Sequence, residues 1–189
     1  MSSTQLVYVD TNVFSTYLLP YPNPKSKQLL VQQATKQFFL DIENGKYLGI
    51  ISTLTEIEYR GIAKKLISQR KNRSVSSLEE QSAMRDFNLF VEKLGIGLIN
   101  SDRIALDNAS GKYNIFESTE QVVKASNPIH VNYESKLWKM IRSIDALMLN
   151  MAVRARATLF ATLDTGFRGI NNTFITPLII PDVYKVESS

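Results

Sequence analysis

A three-layer α/β/α sandwich around a mostly parallel five-stranded sheet is the architecture that this sequence predicts, and three observations predict it. Short apolar runs suited to buried strands recur at residues 6–9, 47–51, 96–99, 158–163 and, around Pro177, 174–180. Longer segments with helical apolar spacing separate several of them, the alternation that right-handed crossovers turn into a parallel sheet. Four acidic residues, Asp10, Glu56, Asp145 and Asp164, each stand at the edge of an apolar segment.

Leu6-Val7-Tyr8-Val9 is β-prone and stops at Asp10-Thr11-Asn12, after which Val13 to Leu18 reads as a helix. Residues 25–44 carry an apolar stripe of Leu29, Leu30, Ala34, Phe38, Phe39 and Ile42, and Asn44-Gly45 ends it. The strand at 47–51 leads to Ser52 or Thr53 as N-cap of a helix through Leu66, which puts Glu56 on the first turn. A further helix over residues 78–94 stops at Gly95, ahead of the strand at 96–99. A helix beginning at Ser143 or running through it carries Asp145, and residues 136–142 extend or precede it, with Trp138 packed rather than stacked on a base. The run at 158–163 ends in Asp164. Pro177 makes the last run an edge strand, because proline cannot donate to a ladder on both sides.

Strand ends and helix starts of such a sheet meet at one rim, where ligands of open α/β folds bind. Four like charges gathered there are tolerable when a cation neutralises them. With no cysteine and one histidine, His130, read as a surface-loop residue, the chain has no thiolate or multi-histidine site, so a metal must be held by oxygen. Oxygen donors and many carboxylates select Mg²⁺ or Mn²⁺.

Asp10-Thr11-Asn12 after a strand, Ser52-Thr53-Leu54-Thr55-Glu56-Ile57 with Gly61 following, Asp145-Ala146 in a helix, and Ala161-Thr162-Leu163-Asp164-Thr165-Gly166-Phe167 together resemble the PIN domain, in the family's order. The likeness covers the framework of almost the whole chain. It implies a metal-dependent endoribonuclease, like the VapC-type toxins of that family, with Asp10, Glu56, Asp145 and Asp164 as metal-binding acids and Asn12 and Thr162 as supports. Glu58 rivals Glu56, because the spacing to Gly61 is not decisive. An antitoxin protein and a second copy of the chain are the partners that the likeness adds to RNA.

The charge pattern also favours a polyanion. Between Arg60 and Leu78 the chain carries Arg60, Lys64, Lys65, Arg70, Lys71 and Arg73 with no acid, a track for an RNA backbone or, equally, a solvated helix tail. Residues 1–189 are expected to form one domain, 44% hydrophobic and 21% charged, with an insertion at 101–135 where the apolar pattern weakens. No apolar run reaches the roughly 20 residues that span a bilayer, so a cytoplasmic protein is expected. Two alternatives stand beside the nuclease: an inactive RNA-binding scaffold, and a phosphohydrolase with Asp10 as nucleophile. The second is disfavoured by Asn12, where haloacid dehalogenase-type sites want a second aspartate, and by the absence of a glycine-rich phosphate loop.

Overall fold

The computed structural model describes residues 4–99, 143–169 and 175–185. Five strands form one parallel sheet: β1 (Gln5–Val9), β2 (Tyr47–Ser52), β3 (Gly97–Ile99), β4 (Leu159–Thr162) and β5 (Thr176–Ile179), in the order β3-β2-β1-β4-β5. The helices are α1 (Thr11–Leu18), α2 (Ser26–Glu43), α3 (Thr53–Lys71), α4 (Ser77–Lys93), α5 (Ser143–Arg154) and the single turn α6 (Ile180–Val183), with a 3₁₀ turn at Thr165–Gly169. The sandwich expected from the sequence is the fold observed, and every strand pair in it is parallel.

The order of the strands follows from chirality. From β1 the chain steps outward to β2 and β3, then returns to place β4 on the other side of β1. Right-handed crossovers in opposite directions put their helices on opposite faces. Side-chain alternation fits this: Val7, Val9, Leu159 and Ala161 pack with α1 to α4, whereas Tyr8 and Phe160 pack with Met148, Leu149 and Ala152 of α5. Because strands buried on both faces need apolar residues at every position, β1 and β4 read as continuous runs.

Aromatic contacts hold each layer. Phe14 of α1 meets Phe39, Phe87 and Phe90, and Tyr59 stacks on Phe87 at 4.5 Å, joining α1 to α4. On the other face Tyr8, Phe160 and Phe167 form a stack with centroids 5.5 and 5.1 Å apart, which anchors the turn after β4 to the centre of the sheet. Gly49 lets β2 lie close under its cover, since a Cβ there would stand 2.9 Å from Ile96 Cγ1.

One helix boundary differs from expectation. Helix α3 continues past Leu66 to Lys71, because Ile67, Gln69, Arg70 and Lys71 are all compatible with helix and the stop is Asn72, left-handed at φ 49°. Pro177 lies inside β5, paired with Phe160, and β5 is the edge strand that the proline predicts. The expectations for residues 101–135, His130 and Trp138 lie outside the described residues. Among the described residues no helix is long and apolar enough to cross a membrane.

Candidate functional site

The sheet order reverses between β1 and β4, and the crevice of a doubly wound sheet opens beyond the carboxyl ends of such a pair. Asp10 follows β1 there, its amide donating to the carbonyl of Ala161 at 2.9 Å and so extending the ladder by one residue. It stands at the N-cap of α1, yet its side chain makes no capping bond to that helix. Instead Oδ2 accepts from Thr162 Oγ1 at 2.6 Å and from Asn12 Nδ2 at 2.7 Å. The carboxylate thus links the start of α1 to the end of β4.

Thr162 and Asn12 close that network. Thr162 Oγ1 donates to Asp10 and accepts from Asn12 Nδ2 and from the amide of Asp164, both at 3.0 Å, so its hydrogen-bonding capacity is filled. Asn12 Oδ1 accepts from the backbone amide of Leu163 at 3.0 Å, which fixes the orientation of the Asn12 side-chain amide. Asp164 is joined to the same network through its backbone, and its Oδ1 accepts from the amide of Gly166 at 2.7 Å. Asn12, Thr162 and the main chain of Asp164 therefore hold Asp10 rigidly.

Asp10 is 4% exposed, and burial pushes its carboxyl up to about 7; the Thr162 hydroxyl opposes that, while the charges of Asp145 and Glu58 add to it. The charges of Asp145 on α5 and Glu58 on α3 both oppose ionisation of Asp10, which follows β1. Of the two glutamates on α3, Glu58 is the one whose charge weighs on Asp10. Glu56 occupies the first turn of α3, half-buried. Among the described residues no group of three or more acids is already spaced to grip a metal ion. The donors are all oxygen, with Asp10 buried at the centre, the chemistry that a hard cation takes.

Two supports of this rim are not evident in the sequence. Tyr8, wholly buried in β1, meets Ser52 Oγ at 2.6 Å and Thr55 Oγ1 at 3.1 Å, tying the start of α3 to the central strand. Ser52 is the N-cap of α3, but its side chain makes no cap bond. An amphipathic residue inside a run of buried valines is the one available signal, since a buried phenol needs a partner.

The basic residues are mostly engaged. Arg60 and Lys64 pair with Glu80, Lys71 and Arg73 with Glu79, and Arg70 donates to the carbonyls of Leu19 and Pro20. Lys65 has neither an ion pair nor a hydrogen bond among the described residues.

No protein-family model matches the chain, and no curated protein matches it closely enough to count as a relative.

Proposed function

We propose that this protein is a divalent-metal-dependent endoribonuclease of the PIN type. The observation that carries the reading is Asp10: a buried carboxylate at the topological switch point, withheld from helix capping, fixed by Thr162 and Asn12, and under the charges of Asp145 and Glu58. The resemblance of the four motifs to the PIN domain supplies the reaction class, and the acid placement supports it.

In this reading Asp10, Asp145 and Asp164 hold Mg²⁺ or Mn²⁺. Glu58, rather than Glu56, is the glutamate on α3 that joins them. Such an ion would supply an activated water and neutralise charge on the leaving oxygen. The chain's own residues prepare the place for it. Thr162 and Asn12 donate to one oxygen of Asp10 and set the plane of its carboxylate. The Gly166 amide fixes Asp164 through Oδ1, and the buried Phe167 keeps that turn against Phe160. No protein nucleophile is required, so products should carry 5′-phosphate and 3′-hydroxyl ends.

Purified protein incubated with single-stranded RNA and Mn²⁺ tests this. Cutting that vanishes with chelator and in Asp10→Asn supports the nuclease. Intact RNA under every metal condition contradicts it and leaves the scaffold reading, whereas 2′,3′-cyclic phosphate ends would contradict a metal-activated water.

A further inference from the structure

The basic tail of α3 and the first turn of α4 fold against each other. Glu79 accepts from both terminal nitrogens of the Arg73 guanidinium, at 2.7 and 2.9 Å, and pairs with Lys71. Glu80 meets Lys64 at 2.7 Å and Arg60 at 3.7 Å. Each carboxylate is flanked by two cations, the contact that a phosphodiester receives from a backbone-binding protein. The side chains of Arg60, Lys64, Lys71 and Arg73 are 50–59% exposed, so a polyanion can reach all four. Between residues 60 and 80 the sequence has six cations and only these two acids.

We propose that this face of the α3–α4 hairpin binds the phosphate backbone of single-stranded RNA, and that Glu79 and Glu80 are built-in competitors which hold its cations until the polyanion displaces them. The choice of RNA rests on the nuclease reading; the competition does not. Exposed ion pairs are weak and screened by solvent, so a strand offering several phosphates exchanges with them readily. Lys65 adds a charge that needs no release, whereas Arg70 stays bound to the Leu19 and Pro20 carbonyls. With about 1.5 Å per residue, the 19 residues of α3 lead this surface away from the rim that holds Glu58.

The test is binding of a fluorescent oligouridylate in the presence of chelator, followed by anisotropy over a salt series, for the wild type and for E79Q/E80Q. Glutamine at 79 retains an acceptor for the Ser76 amide, so the capping box of α4 survives. The double variant should bind about tenfold tighter at low salt, with a log–log salt slope steeper by about 0.7 for each added phosphate contact. E43Q/E92Q, which changes net charge equally elsewhere, should gain little. Unchanged or weaker binding by E79Q/E80Q, or an equal gain by E43Q/E92Q, would overturn the proposal. If the double variant does not fold, E80Q alone releases Arg60 and Lys64 and must show a smaller gain of the same sign; no gain overturns it. Failure of the nuclease reading appears separately, as uncut RNA with Mn²⁺, and does not alter this result.

Discussion

Thr162 donates its hydroxyl proton to Asp10 Oδ2 at 2.6 Å across neighbouring parallel strands, joining residues 152 positions apart at the point where the sheet reverses its order. This bond opposes the effect of burial on the Asp10 carboxyl. Thr162→Val should therefore raise the Asp10 titration further and make metal binding harder at neutral pH, because the ligand must be ionised to bind. Mn²⁺ affinity measured against pH should recover at higher pH in the variant than in the wild type. Coincident profiles would mean that the bond does not tune the carboxylate.

Metal-free stability should fall with rising pH on account of Asp10. Its folded-state carboxyl is raised from 3.8 to about 7, so the folded chain holds a proton that the unfolded chain has already lost. The contribution is fully present below about pH 4 and is lost as pH rises through about 7. Asp10→Asn removes this titration and leaves an amide oxygen to accept from Thr162 and Asn12. Thermal melts in chelator should show a flatter pH dependence between pH 4 and 7 for Asp10→Asn, and a higher melting temperature than the wild type at pH 8.

Tyr8→Phe should destabilise the protein without touching the acids. The change leaves Ser52 Oγ and Thr55 Oγ1, both buried, without the phenol between them. An unsatisfied buried polar group costs about 1–3 kcal/mol. Urea denaturation should place the loss in that range; an unchanged midpoint would show that the two hydroxyls find other partners.

Arg156→Gly should stabilise. Arg156 follows α5 with φ 60°, its amide donating to the carbonyl of Val153 while that of Ala157 reaches Ala152, the closure that ordinarily takes glycine. Relief of the left-handed side-chain clash is worth about 1 kcal/mol. Chemical denaturation should detect this gain, and a loss would show that the exposed arginine contributes more than its backbone costs.

The sheet was legible in the sequence because its central strands are buried on both faces and so must be apolar at successive positions; Val7-Tyr8-Val9 and Leu159-Phe160-Ala161 declare themselves. Asp10 and Thr162 were legible for the same reason, as polar residues at the ends of such runs. The choice between Glu56 and Glu58 on α3 was not, because they lie about 200° apart around the helix and the spacing to Gly61 does not say which faces the rim. Nor was the fate of the basic stretch. Glu79 and Glu80 lie just beyond it in sequence, and the turn after Asn72 brings them back against its cations.

Calorimetric titration of Mn²⁺ into the folded protein probes the hard-cation site proposed around Asp10. Saturable binding with proton release is expected in the wild type, abolished in Asp10→Asn. Absence of binding to the wild type, or equal binding to both proteins, would contradict it.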